Sequence, residues 1–283
     1  MHIIDGPRAS RPAHGWERAT PVALMCRRIA RMRNTRRRLL RLSALPAMTG
    51  IVLATIFQAR PALAMDDQAT YWRFDGRVEK RLTPVAPATD WATSAWIGDD
   101  STKLRLQNSG VIDDSGHIDN EGGTRGIDNR FFYSRLISDF WDAKAGVQFT
   151  IFDQGVTRSG FIAGVEGLAP YGIHVDAVLG VSQTGVVSAR LEANYDVLLS
   201  QKLIAQPFLE AMLASQDDPA IQLGSGLARY EVGIRLRYEI AKEVAPYVGV
   251  SFEQFTGTTA NLVAAEGGPT SNLRALVGLK VWF

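Results

Sequence analysis

Apolar and polar residues alternate over long stretches of the C-terminal three quarters of the chain. In 227–241 the even positions carry mainly large apolar side chains, whereas the odd positions carry mainly charged side chains or glycine. The same alternation occurs in 141–151, 173–181 and 187–197. Successive side chains of a β-strand point to opposite faces of the sheet. Each stretch is therefore predicted to be a strand with one apolar face and one polar face.

The length of these strands narrows the fold class. Each is about ten residues long, whereas strands of soluble sandwiches usually have about five or six. A tilted strand needs about 9–11 residues to cross a bilayer. We therefore predict an all-β fold, an antiparallel transmembrane β-barrel with an apolar exterior and a polar lumen. A soluble barrel or sandwich, whose apolar face would form the core, is the alternative.

The connections between the predicted strands alternate in size. The longer or more polar ones lie at 83–90, 113–126, 153–159, 183–186, 214–226 and 256–271, and the tight ones lie at 98–102, 137–139, 168–170, 199–201 and 241–244. Outer-membrane barrels have short periplasmic turns and longer external loops. This alternation predicts about twelve strands, with both ends of the barrel chain on the periplasmic side.

The last eight residues, LVGLKVWF, form one of the predicted strands. Together with the preceding Ala275, it supplies the predicted lipid-facing row, which consists of Ala275, Val277, Leu279, Val281 and Phe283. We expect this strand to pair with the first strand, since closure removes the unpaired sheet edges that a bilayer cannot accommodate. A terminal aromatic residue such as Phe283 also resembles the signal that the barrel-assembly machinery reads.

The N-terminal part differs in charge from the rest. Residues 1–64 contain 12 of the 31 basic residues and 2 of the 29 acidic ones, which leaves 19 basic and 27 acidic residues in 65–283. An arginine-rich stretch, an apolar run and Ala62-Leu63-Ala64 predict a signal peptide that is cleaved on export. The predicted organisation is an N-terminal extension and signal peptide in 1–64, a mature N-terminal segment with the first strand in 65–90, and the outer-membrane barrel in 91–283.

Composition also excludes several classes of site. The single cysteine, Cys26, precedes residue 65, so the exported part can form no disulfide or thiolate site. Its acidic balance argues against nucleic-acid binding. No G-x-S-x-G, P-loop or H-E-x-x-H motif is present, and we predict that the protein is not an enzyme. A lipid-modifying barrel enzyme would need a serine beside an outward-facing histidine.

The predicted lumen is rich in ionisable residues. They are Arg190, Glu192, Glu210, Arg229, Glu231, Arg235, Arg237, Glu239 and Glu253. A narrow lumen cannot bury such groups unpaired, so we expect a network of ion pairs. This network either fills the barrel or forms a polar path for a small ion.

Candidate metal ligands are few. His174 and Met212 both face the lumen by parity, with His174 near the periplasmic end and Met212 near the external end, so they cannot share a site. Glu166 lies across the short turn from His174, and the two residues make either a metal site or a hydrogen-bonded pair. His117 lies in an acidic loop, where solvation is the simpler interpretation.

Four contiguous blocks carry a family resemblance. They are YSRLISDFWDAKAGVQF (133–149), GVEGLAPYGIHVDAVLGVSQTGVVSARLEANYDVLLSQKLIAQPFLEA (164–211), SQDDPAIQLGSGLARYEVGIRLRYEIAKEVAPYVGVSFE (215–253) and LVGLKVWF. In this order they resemble the copper resistance protein B family. The resemblance implies an outer-membrane barrel of a copper-resistance system, which works with a periplasmic multicopper oxidase.

The sequence departs from the family at the start of the mature chain. Many members carry a segment rich in Met, His and Asp before the barrel, whereas MDDQATYWRFDGRVEK (65–80) has one methionine and no histidine. Copper(I) prefers thioether ligands, and imidazole suits copper more generally. We therefore expect weak or transient copper binding, in a barrel that binds copper or moves it across the outer membrane. The alternative is a general small porin or a structural barrel without a metal role.

Overall fold

The alternating stretches form long strands that pair with their neighbours in chain order. The computed structural model describes residues 70–83, 87–119 and 122–283. The first six strands are β1 (Tyr71–Leu82), β2 (Ala88–Gly98), β3 (Thr102–Asp113), β4 (Ile127–Ser138), β5 (Trp141–Ile151) and β6 (Thr157–Ala169). The remaining strands are β7 (Ile173–Ser182), β8 (Val187–Asn194), β9 (Val197–Leu198), β10 (Leu203–Ala214), β11 (Gly226–Tyr238), β12 (Val244–Phe255) and β13 (Ser271–Trp282).

The strands close into an antiparallel barrel. The first strand, β1, pairs with β13 from Asp75 opposite Trp282 to Leu82 opposite Ala275. Two further backbone hydrogen bonds, of 2.8 and 3.0 Å, join Phe74 and Phe283 beyond this ladder. Both β8 and β9 pair with β10, so they are two parts of one barrel strand. The described strands thus form a closed barrel of twelve, as the sequence predicted.

The two faces of the strands differ as the alternation predicted. On β11 the lipid-facing side chains of Val232, Ile234 and Leu236 are about 40% exposed, whereas Arg235 and Arg237 are less than 10% exposed in the lumen. The outer surface is therefore apolar although it is exposed, and the inner surface is charged although it is buried. A soluble barrel or sandwich would bury the apolar face, so this alternative is wrong.

The connections at the two ends differ in size. At one end they are 99–101, 139–140, 170–172, 199–202 and 239–243, and at the other end they are 83–87, 114–126, 152–156, 183–186, 215–225 and 256–270. We call the first end periplasmic and the second external, because short turns are typical of the periplasmic side. The predicted alternation holds in part, because 114–126, 215–225 and 256–270 are longer than every periplasmic turn, whereas 83–87, 152–156 and 183–186 are no longer than 239–243.

The described residues outside the strands include little regular structure. One helix, α1 (Gly257–Ala265), lies in the connection before β13, and single 3₁₀ turns lie at Asp153–Gly155, Pro170–Gly172 and Pro219–Ile221. Among the described residues no helix is long and apolar enough to span a bilayer. The signal peptide predicted in 1–64 falls outside the described residues and stays a prediction.

Candidate functional site

A row of acidic side chains crosses the lumen. Its members lie directly opposite one another in successive strand pairs and are Asp142, Glu166, Asp176, Glu192, Glu210, Glu231 and Glu253. Asp142 is the second residue of β5, at the periplasmic end, whereas Glu253 lies two residues from the external end of β12. Because barrel strands are tilted, residues at one register climb along the barrel. This carboxylate row therefore runs diagonally from one end of the lumen to the other.

Cations on neighbouring strands neutralise the periplasmic part of the row. The Arg105 guanidinium donates hydrogen bonds to Asp142 at 2.7 Å and to Glu166 at 2.8 Å. The buried Lys144 ammonium contacts Glu166 at 3.2 Å and Asp176 at 2.6 Å. Like charges that face each other across strands are destabilising. Because Arg105 and Lys144 each contact two carboxylates, these ion pairs offset the repulsion between neighbouring carboxylates.

The external part of the row shares cations in the same way. Arg229 pairs with Glu231 and also donates to Glu253 at 2.6 Å. Arg274 pairs with Glu253 and lies 4.0 Å from Glu231. Both carboxylates are at most 1% exposed, and a buried charge needs such partners because it has lost its hydration.

The middle of the row is poorer in cations. Glu192 makes no hydrogen bond or ion pair with any residue that the structure describes, and it lies between Asp176 and Glu210. Glu210 pairs with Arg125, and the Arg229 guanidinium lies 3.8 Å away. Within the described residues, Glu192 is thus the one member of the carboxylate row without an ion-pair partner, whereas Glu210 has two.

The structure places the six main residues of the predicted network in the lumen, namely Arg190, Glu192, Glu210, Glu231, Arg235 and Arg237. Besides the glutamates described above, Arg235 forms a two-pronged contact with Glu79 at 2.8 and 3.5 Å, and Arg237 contacts Asp196 at 3.0 Å. Arg190 lies 3.5 Å from Asp128. Five of the six residues are ion-paired, and Glu192 is the exception.

The predicted pair of His174 and Glu166 is close but does not form a hydrogen bond. The His174 Nε2 atom lies 3.8 Å from Glu166 Oε1, and the histidine side chain is 45% exposed. The residue directly opposite Glu166 is Asp176, whereas His174 faces Leu168. Arg105 and Lys144 already hold the Glu166 carboxylate, so it has little capacity left for a metal ion.

Met212 lies away from His174. It faces Arg190 in the strand ladder, whereas His174 faces Asn194, four residues farther along β8. Its sulfur atom lies 3.9 Å from an Arg190 nitrogen. In the part of the chain that the structure describes, no three His, Cys, Asp or Glu residues are grouped to hold a metal ion. The candidate ligands His174, Glu166 and Met212 therefore do not form a common metal site.

His117 lies in an external connection and makes only local contacts. Its backbone N–H donates to Asp113 at 2.8 Å, and its ring lies 3.7 Å from the same carboxylate. The side chain is 69% exposed. Of the acidic residues predicted around it, Glu121 lies outside the described residues.

A cavity of about 70 Å³ lies in the external half of the lumen. The charged groups in its wall are four carboxylates and four guanidiniums, which belong to Asp90, Asp128, Glu192, Glu210, Arg77, Arg125, Arg190 and Arg229. Met212 also lines the cavity. A space of this size admits water molecules or a small ion.

Residues 122–126, with the sequence GGTRG, fold into the lumen beside this cavity. We call them the inner segment. Thr124 is 2% exposed, and its carbonyl oxygen accepts a hydrogen bond of 3.0 Å from Arg190. The sequence predicted a polar external loop here, and its glycines were the signal that a close backbone approach was required.

An apolar cluster lies at the external end of the barrel. Its buried members are Phe152, Val186, Ala214, Ile221, Leu223 and Ala228, and Met212 packs against them. The cluster combines strand residues with side chains from the 215–225 connection. We call this cluster the cap. By contrast, polar side chains at the periplasmic end, such as His174 and Asp196, are 45% exposed.

The family is established by comparison with known proteins. A family model described as "Copper resistance protein B precursor (CopB)" matches residues 70–283. The chain belongs to the copper resistance protein B family. This finding confirms the resemblance, and the match covers residues 70–283.

Two relatives of this family member are similar over most of the chain. "Copper resistance protein B" of Escherichia coli is 35% identical over 193 residues, which is 68% of this chain and 62% of the relative. A "Copper resistance protein B homolog" of Pseudomonas syringae pv. tomato is 32% identical over 241 residues, 84% of this chain and 79% of the relative. The matched region is thus less than two thirds of the Escherichia coli protein.

Solved structures resemble this family member more distantly. The NanC porin has a TM-score of 0.46 at 11% identity, over 74% of this chain and 98% of the porin chain. The KdgM porin has a TM-score of 0.43 at 11% identity, over 75% and 99%. These similarities are too low to bear on what the protein does.

Proposed function

We propose that this protein contributes to copper resistance by letting copper ions cross the outer membrane through its lumen. The carboxylate row supports this proposal, because it places carboxylates along the lumen from the periplasmic end to the external end, and Glu192 in its middle has no cation partner among the described residues. Membership of the copper resistance protein B family supplies the identity of the cargo. Copper is then a transported ion and not a resident cofactor.

The types of side chain available as ligands favour transport of copper over its storage. Tight copper sites use thioether, thiolate or imidazole ligands, whereas carboxylates suit harder cations. In the described residues His174 and Met212 lie at different levels of the barrel, and neither has a second soft ligand beside it. Contacts between copper and the carboxylate row would be weak and exchangeable, as conduction requires.

The proposed setting is the Gram-negative outer membrane. The apolar outer face would contact lipid, and the 56% exposed Phe283 would be read by the barrel-assembly machinery. A periplasmic multicopper oxidase of the same resistance system is the proposed partner, on the strength of the family alone. The sequence contains no catalytic constellation, which supports a role in binding or transport.

The charge balance of the lumen favours a second candidate function. Almost every lumen charge described above has a partner, and the cap packs apolar side chains together at the external end. A structural barrel or a small general porin, whose lumen is held by ion pairs, would have the same features. In that case the lumen would not select copper over other ions.

Deletion of the gene tests the copper assignment. We expect the deletion strain to lose copper tolerance and to change its cell-associated copper, with zinc tolerance as a control. Complementation with His174→Ala, Met212→Ala and the exposed-loop control His117→Ala then tests individual ligands. Unchanged copper tolerance on deletion refutes the copper function. Full rescue by the first two variants removes a direct role for those two side chains and leaves the carboxylate row as the path.

A further inference from the structure

One lumen guanidinium reaches its position from a loop. The other described arginines around the cavity, Arg77, Arg190 and Arg229, lie on β1, β8 and β11 and are held in strand ladders. Arg125 instead belongs to the inner segment, which precedes β4. Its position therefore depends on side-chain contacts and on the fold of five residues, not on the barrel ladder.

The Arg125 guanidinium bridges opposite walls of the barrel. It pairs with Glu210 on β10, lies 3.5 Å from Asp90 on β2 and lies 3.6 Å from Glu231 on β11. In the strand order, β2 is four strands from β11 and five strands from β10, in a ring of twelve. A group that contacts these strands together stands across the centre of the lumen.

The inner segment fits this position because of its glycines. Gly123 has a φ of +71°, and a Cβ there would overlap the carbonyl oxygen of Ile221. Gly122 has a φ of +62°, and a Cβ there would lie 3.0 Å from side-chain atoms of Phe255 and Val263. Residues with a side chain rarely adopt such backbone angles. The segment is therefore shaped to lie beneath the cap and to present Arg125 inward.

Arg125 also determines the net charge of the cavity wall. With it, the wall contains four carboxylates and four guanidiniums; without it, the wall has one excess negative charge. Asp90 is 3% exposed, and its Oδ1 atom has no hydrogen-bond partner. Glu192 has no ion-pair partner among the described residues. Withdrawal of Arg125 would thus leave oxygen ligands with unused capacity at the centre of the path.

We propose that the inner segment is a gate and that Arg125 is a tethered cation that closes it. The guanidinium occupies the place between Asp90, Glu210 and Glu231 through which a small cation passes. Outward movement of the inner segment opens the lumen and leaves the cavity selective for cations. This gate rests on the proposed function in taking the lumen as an ion path, and it adds what closes that path.

Conductance of the full-length protein in planar bilayers, with potassium chloride as the probe, tests the gate. We expect Arg125→Ala and the near-isosteric Arg125→Gln to raise the mean conductance several-fold. Under a potassium chloride gradient, their reversal potential is expected to move toward that of potassium. Arg125→Lys keeps the charge and should remain closed. Arg73→Ala is the matched control, because Arg73 is an exposed arginine at the periplasmic end that pairs with Asp75.

The outcomes separate the gate from the copper function. Heat-modifiable migration on gels verifies folding, and substitution of Arg125 removes no strand-ladder hydrogen bond. Folded Arg125→Ala and Arg125→Gln barrels that conduct like the wild type overturn the gate, as does an equal rise in Arg73→Ala. An open pore that prefers chloride refutes the tethered-cation role. None of these results depends on copper, so loss of the copper phenotype and loss of the gate are independent findings.

Discussion

The ion pair between Glu79 and Arg235 is predicted to be a main stabilising contact across the seam where the barrel closes. Glu79 on β1 is 0% exposed and Arg235 on β11 is 5% exposed. The strand order places β12 and β13 between these two strands, so the pair spans the closing ladder. Removal of one partner from a buried pair leaves the other charge without compensation and typically costs about 3–5 kcal/mol.

The two single substitutions are not expected to be equal. Arg77 and Arg81 also interact electrostatically with Glu79, so Arg235→Met leaves the carboxylate with other cations nearby. Glu79→Gln leaves these guanidiniums without their shared carboxylate. We therefore expect a cost of about 5 kcal/mol for Glu79→Gln and about 3 kcal/mol for Arg235→Met. The second value includes loss of the packing of Arg235 on the Phe208 ring, at 3.7 Å from the centroid.

The double variant tests the physical reasoning. Once Glu79 is neutral, removal of the positive charge of Arg235 also removes a repulsion, so the double variant should cost less than the sum of the single ones. The expected coupling is about 2 kcal/mol. Urea titration in lipid vesicles, followed by tryptophan fluorescence, measures the free energy of unfolding of each variant. Costs that add to within about 0.5 kcal/mol would refute the proposed coupling.

Three further predictions concern the connections. Arg158 donates two hydrogen bonds, of 2.7 and 2.8 Å, to Asp218 in the external 215–225 connection, so Arg158→Ala should raise the rate of proteolysis in that connection; an unchanged cleavage rate would contradict this role. Gly123→Ala should open the pore in conductance measurements, because its backbone angle and the carbonyl of Ile221 exclude a side chain; a closed, folded variant would show that the inner segment tolerates other conformations. In the periplasmic turn before β3, hydrogen bonds from Ser101 and Thr102 lower the pKa of Asp99. The carboxylate therefore stabilises this turn above about pH 4, and the protection of its amides from exchange, relative to an unstructured chain at the same pH, should fall as the pH falls further; an Asp99→Asn variant with the same pH response would contradict the assignment.

The positions of the strands, and which of their side chains face lipid or the lumen, could be predicted from the sequence because apolar and polar residues alternate with a period of two. The lipid-facing row of β11 and the charged lumen side of the same strand follow from parity alone. The count of twelve follows from the spacing of the turns, which depends on residues near one another in the chain. The closing role of the last strand follows from the general rule that a bilayer cannot accommodate unpaired sheet edges.

The contacts of Glu166 could be predicted only in part. Their proximity across a short turn was predictable, because the turn joins their two strands. The competing cations were not, since Arg105 and Lys144 come from β3 and β5. Parity shows that these side chains face the lumen, but it contains no information on which of them reach the same carboxylate.

The sequence by itself determined that the chain forms a twelve-stranded barrel with an apolar exterior and an ionisable lumen. The tertiary structure decided how those lumen charges meet. The carboxylate row exists because the registers of six strand pairs align, and a shift of two residues in one strand would preserve every face and break the row. Arg125 lies at the centre because the inner segment folds inward beneath the cap. Register depends on the exact pairing of neighbouring strands and loop direction on contacts between distant parts of the chain, and the alternation of side chains encodes neither.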